Sequence, residues 1–214
     1  MISYQKTRRF DSDIHIFTIN QYAGSKVKLL TTPGNKLYYP SQFQAQDHPD
    51  LLVNGGLFNM ATGFAIGENV PFPEPRPVLA VNRFGNAYVR MAKSPDDFFA
   101  MEGGFFLMAY GLLLDPRGEI DIIGRADYTF APRTLAGVRL DGCLMLVAVE
   151  GRSKINKGCS IWQAAKLMQD LGCRRGAVNL DGGGSTQVIY QGLEVVKSSD
   201  THPRRLANMI GVWG

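Results

Sequence analysis

The chain has 214 residues, 45% of them apolar and 20% charged, the composition of a globular protein with a sizeable core, and it reads as a single domain over 1–214. A net charge of +4 is too dilute to argue for a nucleic-acid polymer, and no stretch approaches the roughly 18 apolar residues of a membrane helix. Cys143, Cys159 and Cys173 have no C-x-x-C spacing, which argues against both a zinc site and a disulfide framework.

Strand patterning begins at residues 13–19, "DIHIFTI", where Ile14 and Ile16 alternate with His15, Phe17 and Ile19. "VKLLTT" predicts a second strand, stopped by Pro33-Gly34-Asn35, and "DLLVNGGLFN" a buried strand that breaks at paired glycines. "NVPFPEPRP" holds four prolines in nine residues and predicts an ordered loop. "PVLAVNRFGNAYVRM" predicts a hairpin turning near Arg83–Asn86. "SPDDFFAM" predicts a short helix capped by Ser94, and "LLLDPRGEIDI" a second hairpin.

"CLMLVAVEG" is the most apolar run and predicts a central strand. "SIWQAAKLMQDLG" predicts the clearest helix. Ser160 and Gln163 have capping-box spacing, Ile161, Ala164, Ala165, Met168 and Leu171 share a face, and Gly172 closes it. The strand "GAVNL", the hairpin "TQVIY-QG-LEVVK" and the strand "ANMIGVWG" follow. Strands outnumber helices and neighbours pair as hairpins, so the expected class is α+β with a large mixed or antiparallel sheet.

Between two of these strands lies "LDGGGST", Leu180–Thr186. It has no Gly-Lys-Ser/Thr ending for a phosphate loop. Gln187 stands where a dinucleotide fingerprint or a nucleophile elbow requires glycine. Its local physics still favours an anion, since successive glycine N–H groups can turn inward as a nest beside the Asp181 carboxylate. A tight turn with a capping aspartate explains the stretch equally well. Asn54 and Asn59 in "VNGGLFN", Arg133 in "APRTLAGV", and Arg204 with Asn208 in "PRRLANMIGV" are further polar inserts at strand edges. Loops from one sheet converging on a ligand would produce this pattern.

"NGGLFN", "IGENV", "MEGGFFLMAYG", "PRTLAGV", "VAVEGR", "GCSIWQAAKLMQDLG", "AVNLDGGGST" and "RRLANMIGV" stand in the order seen in phosphodiester glycosidases, and over residues 50–213 the chain resembles that family. The resemblance implies an α+β fold with an extensive curved sheet, and hydrolysis of a sugar–phosphodiester linkage at the anomeric carbon. The positions it marks are Asn54, Gly55, Gly56 and Asn59, then Arg133 and Thr134. Gly182, Gly183, Gly184, Ser185 and Thr186 follow Asp181, and Arg204 and Asn208 complete the set.

In the mechanism so implied, Arg133 and Arg204 hold the phosphate, the glycine amides add donors, and Asp181 is base or charge stabiliser. Glu102 is a further candidate carboxylate, read first as an exposed loop acid. The expected partner is a small-molecule or glycan sugar phosphodiester, with no nucleic-acid polymer and no membrane. No cofactor is assigned, and a Ca²⁺ or Mg²⁺ at Asp181 stays open. "MISYQKTRRFDSD" has no apolar signal segment, so the expected location is the cytoplasm, or the host cytoplasm for a phage-encoded chain. The competing readings are a non-catalytic binding protein for a phosphorylated sugar or nucleotide-like ligand, and a structural phage component.

Overall fold

The computed structural model describes residues 1–33, 36–58, 75–82, 84, 86–92, 105–108, 111–115, 117–123 and 129–214. The first part of the chain runs β1 (Ile2–Arg9), β2 (Ser12–Ile19), β3 (Lys26–Thr31), α1 (Pro40–Asp47), β4 (Leu51–Asn54), β5 (Arg76–Val81) and β6 (Ala87–Ala92). Next come β7 (Phe105–Met108), β8 (Gly111–Leu114), β9 (Ile120–Ile123), β10 (Arg133–Val138) and β11 (Leu144–Val149). The C-terminal part holds α2 (Ile161–Asp170), β12 (Ala177–Asn179), β13 (Val188–Tyr190), β14 (Leu193–Val196) and β15 (Asn208–Trp213).

The strands form three sheets, ordered β1-β2-β11-β10-β12-β8-β9, β14-β13-β4-β15-β3 and β6-β5-β7. Every described ladder is antiparallel, so the α+β class holds without parallel strands among the described residues.

The central strands of the seven-stranded sheet are buried on both faces, which explains why β11 reads as an unbroken apolar run. Its odd-numbered side chains, Met145, Val147 and Val149, pack with Ile161, Ala164, Ala165 and Met168 of α2. Leu144, Leu146 and Ala148 face the other way, into a core shared with Val53 of β4 and Ile210 of β15. β2 divides likewise: Ile14 and Ile16 go to the helix side, Phe17 and Ile19 to the central core. The capping box of α2 is formed, with Gln163 N donating to Ser160 Oγ at 3.2 Å and Ser160 N to Gln163 Oε1 at 3.0 Å.

Two elements gave no usable sequence signal. β1 is an edge strand whose residues are mostly exposed, with Lys6 and Arg8 paired to Asp13, so it lacks apolar alternation. α1 buries only Pro40 and Phe43 and so shows no stripe. Its start is nonetheless marked by Pro40 in the first turn and by Tyr39 N donating to Gln42 Oε1 at 2.9 Å. The proline-rich loop up to Glu74, the helix expected over 94–101 and Glu102 lie outside the described residues.

Candidate active site

The polar inserts stand at strand ends, where the seven- and five-stranded sheets meet. Asn54 ends β4, Arg133 and Thr134 open β10, Asn179 ends β12 and Asn208 opens β15. A backbone bond ties the two sheets together here, Asp181 N donating to Gly55 O at 3.2 Å, and Leu180 N extends the β10–β12 ladder by donating to Thr134 O at 2.8 Å.

Asn54 sits underneath and is only 1% exposed. Its Nδ2 donates to the Asp181 carbonyl at 2.7 Å, while its Oδ1 accepts from Thr134 Oγ1 at 2.6 Å and Gln187 N at 3.3 Å. Thr186 Oγ1 lies 3.3 Å from Thr134 Oγ1. Asn208, also buried, donates from Nδ2 to Gly56 O at 3.3 Å, and its own carbonyl accepts from Gly55 N at 3.3 Å. Asn54, Thr134, Thr186 and Asn208 therefore form a buried polar layer that fixes Asp181 from below. They do not form the walls of the cleft.

Above this layer opens a cleft of ≈ 260 Å³, walled by Arg133, Arg152, Asn179, Asp181, the three glycines 182–184 and Arg204. Burial pushes the Asp181 carboxyl above the usual carboxylate range; the Ser185 hydroxyl, the Arg204 charge and the Gly182 N–H oppose this only in part. Arg204 donates from Nε to Asp200 Oδ2 at 2.8 Å and from Nη1 to Ser185 Oγ at 3.4 Å. Arg133 is nearly buried and donates to two carbonyls, Cys159 O and Thr129 O, each at 3.1 Å. The neighbouring Cys159 thiol is pushed up to about 12 by burial, which leaves it protonated and unreactive at neutral pH.

The glycine run departs from the expected nest of three donors. Residues Gly183–Ser185 form one 3-10 turn, in which Gly183 N donates to Pro132 O at 2.9 Å and Gly182 N to Asp181 Oδ1 at 3.0 Å. Two of the three amides are thus engaged inside the protein, and only the Gly184 N–H keeps no acceptor among the described residues. The run serves space and conformation instead. Gly183 has φ +62, and a Cβ on Gly184 would overlap the Asp200 carboxylate.

Three residues of the site were not singled out from sequence. Arg152 follows the end of β11, with its guanidinium half-exposed and Nη1 3.8 Å from Asp200 Oδ1. Asp200 joins Arg152 to Arg204. Asn179 is 1% exposed and donates to Leu180 O, but its buried Oδ1 has no partner. The signals existed: Arg152 follows a strand and a glycine as Arg133 follows a proline, Asn179 interrupts an apolar strand, and Asp200 stands four residues before Arg204. Asn59 lies outside the described residues. Among the described residues no three His, Cys, Asp or Glu side chains converge to hold a metal ion.

The sequence profile described as phosphodiester glycosidase matches residues 51–213. An 81-residue stretch, 38% of the chain, is 33% identical to the SPbeta prophage-derived uncharacterized protein YomE of Bacillus subtilis (strain 168), and spans 12% of that protein. The fold is similar to the catalytic domain of zebrafish N-acetylglucosamine-1-phosphodiester alpha-N-acetylglucosaminidase, solved auto-inhibited by its pro-peptide. That likeness has a TM-score of 0.78 at 20% identity and covers 100% of this chain and 82% of the zebrafish one. A hypothetical protein from Synechocystis matches with TM-score 0.71 and 16% identity, over 99% of this chain and 62% of its own. A putative exported protein from Burkholderia pseudomallei K96243 matches with TM-score 0.66 and 15% identity, over 95% and 74%. The profile match covers every described strand that walls the cleft or lies beneath it, and the chain belongs to the phosphodiester glycosidase family.

Proposed function

We propose that this protein hydrolyses the glycosidic bond of a sugar phosphodiester, with Asp181 at the reacting carbon and arginines on the phosphate. The observation that carries the reading is a carboxyl with a raised pKa sharing one small cleft with Arg133, Arg152 and Arg204. A carboxylate that holds a proton more readily than usual is suited to general-base work. Guanidinium groups suit a phosphate on which charge grows as the bond breaks.

Water attacks the anomeric carbon, its oxygen forming the new C–O bond while a proton passes to the Asp181 carboxylate. The old bond from that carbon to the phosphate oxygen breaks, and its electron pair leaves with the phosphomonoester. Arg204 and Arg152 stabilise the added charge, and the free Gly184 N–H supplies one more donor. Buried Arg133 contributes positive potential from the cleft wall while bonded to its two carbonyls. Membership of the family and the name of the zebrafish relative support a sugar-1-phosphodiester as the substrate class.

Turnover of a panel of sugar-1-phosphodiesters in ¹⁸O-labelled water tests this. Label in the released sugar, with activity lost in Asp181→Asn, is the expected result. Label in the phosphate would mean cleavage at phosphorus, and tight binding without release of sugar would mean a binding protein.

A further inference from the structure

The backbone of Arg152 has φ +59, a left-handed conformation that a residue other than glycine seldom keeps unless its surroundings impose it. We propose that Asn156, braced by the turn between β1 and β2, is the positioning residue that imposes it and so holds the Arg152 guanidinium over the glycine turn; the consequence for phosphate rests on the function proposed above.

Arg152 stands near the start of a loop, residues 150–158, that follows β11. The loop closes at its neck, where a Cβ on Gly151 would stand 2.8 Å from both Gly158 Cα and Pro132 N. Compact loops of this kind are packed by their own side chains, and here that side chain is Asn156, only 2% exposed. Ser153, the residue after Arg152, is bonded to it twice. Ser153 N donates to Asn156 O at 2.9 Å, and Asn156 N donates to Ser153 Oγ at 3.0 Å. The Asn156 side chain ties this unit to its surroundings: Nδ2 donates to Glu150 Oε2 at 2.9 Å, and Oδ1 accepts from Asp13 N at 3.0 Å and Arg8 Nη1 at 3.1 Å.

The β1–β2 turn grips the rest of the loop. Arg8 Nη2 donates to Ile155 O at 2.6 Å, Lys157 N to Asp11 O at 3.1 Å, Gly158 N to Ser12 Oγ at 2.7 Å and Glu150 N to Asp13 O at 3.0 Å. His15 Nε2 lies 2.8 Å from the other oxygen of Glu150. Arg8, Ser12 and Asp13 all precede residues 51–213 that the family profile matches, so the brace brings a separate part of the chain to the site.

At the far end of this lever the Arg152 side chain crosses Gly183, where an added Cβ would stand 3.1 Å from both Nη1 and Nη2. Its approach to Asp200, at 3.8 Å and half-exposed, is too long for a hydrogen bond and cannot alone fix the guanidinium. The backbone must supply the rest of the aim, and Asn156 is what holds the backbone.

The test uses the whole protein and two readouts: titration with inorganic phosphate, and the backbone amide signal of Gly183 in ¹⁵N spectra of the free protein. Arg152→Ala should weaken phosphate about ten-fold, the scale of one charge-assisted contact, and its Gly183 signal marks a turn with no guanidinium above it. Asn156→Ala should give most of that loss and move the Gly183 signal toward the same position. Adding Arg152→Ala to it should cost less than about two-fold more, because coupled residues are not additive. Asn156→Asp alone sets two carboxylates face to face and should behave like Asn156→Ala. Combined with Glu150→Gln it exchanges donor for acceptor across one bond, keeps the bonds to Arg8, Asp13 and His15, and should restore both readouts. Arg8→Ala, at a half-exposed residue, removes two bonds to the loop without opening the core, so it keeps the fold if Asn156→Ala does not; it should move the Gly183 signal the same way by less. Lys6→Ala removes the other cation on Asp13 and no bond to the loop, and should not move it. The proposal is overturned if folded Asn156→Ala and Arg8→Ala keep the wild-type Gly183 signal, if Arg152→Ala costs the same affinity with and without Asn156, or if the folded exchange pair stays as impaired as Asn156→Asp. Phosphate binding indifferent to Arg152→Ala would instead sink the role of Arg152 in the cleft, and the Gly183 signal would still decide whether Asn156 holds it.

Discussion

Arg204 Nε and Nη2 both reach a single carboxylate oxygen of Asp200, Oδ2, at 2.8 and 2.6 Å. The other oxygen, Oδ1, is left facing Arg152 at 3.8 Å. One carboxylate thus aims two guanidinium groups at the cleft. Asp200→Ala removes the aim but not the positive charge, so inorganic phosphate should still bind. Turnover should fall by about ten-fold or more, the scale of a misplaced transition-state contact near 1.4 kcal/mol. Arg204→Ala should lose both phosphate affinity and turnover. Calorimetry with phosphate alongside kcat measurements separates the cases, and equal loss of affinity in both variants would refute the positioning role of Asp200.

The adjacent glycines should respond differently to alanine. At Gly183 the cost is backbone strain at φ +62, about 1–2 kcal/mol, and the new methyl meets the far end of the Arg152 side chain at 3.1 Å. Arg152 can swing aside, so Gly183→Ala should remain soluble, melt a few degrees lower and bind phosphate more weakly, as Arg152→Ala should. At Gly184 the methyl meets the Asp200 carboxylate, itself tied to Arg204. Gly184→Ala should therefore reproduce the turnover defect of Asp200→Ala in addition to a loss of stability. Thermal melts and phosphate titrations on the two variants decide this.

How far the site was legible follows from which residues carry unusual chemistry in an apolar context. Arg133, Asp181, Arg204 and the glycines interrupt strand-like segments, and all of them border the cleft. Asn54, Thr134, Thr186 and Asn208 interrupt strands in the same way yet lie beneath it, because pattern marks a buried polar side chain without saying whether ligand or protein satisfies it. Asp200 was hidden for the opposite reason. It sits among polar neighbours in "KSSDTHPRR", where a solvated loop is the ordinary reading, and only the fold brings it against Gly184 and Arg152. The elements followed the same rule: α2 carried both a cap and an apolar face, whereas β1 is a mostly exposed strand without a sustained apolar alternation.

Asn54→Ala tests the layer beneath the cleft. It strands the Thr134 hydroxyl and the Gln187 N–H in a buried setting and removes the donor to the Asp181 carbonyl. A loss of about 2–4 kcal/mol is expected, lowering Tm by roughly 5–15 °C in a chain of this size. Arg139, paired with Asp141 at 3.0 Å on a well-exposed turn, should accept alanine with little change in either stability or turnover. Denaturant or thermal unfolding of the two variants side by side gives the comparison, and a small effect at Asn54 would mean that water replaces its bonds.

The Asp181 carboxyl is where function and stability should oppose one another. Its folded-state pKa lies above the ordinary carboxylate value of 3.8 because burial disfavours the charged form. The protonated form is therefore the one that folding prefers. The stability contribution is complete below the unfolded value and is lost as pH rises through the folded value, so at neutral pH the ionised group weakens the fold. Asp181→Asn replaces the carboxylate with a neutral group of the same shape, and should raise Tm at pH 7. The gap should narrow as pH falls through the folded value, where wild type becomes neutral at this position too. Turnover of a sugar phosphodiester should fall by at least about a hundred-fold in the variant, the scale of a lost general base, while phosphate still binds at the arginines. In wild type the acidic limb of kcat/KM should lie above 3.8, since the base must be ionised to accept a proton from water. A variant that melts lower than wild type at neutral pH, with a difference that does not change as pH is lowered, would show that Asp181 is held as a structural acceptor. A carboxylate kept at a cost to the fold would instead show both the pH-dependent gap in Tm and the loss of turnover.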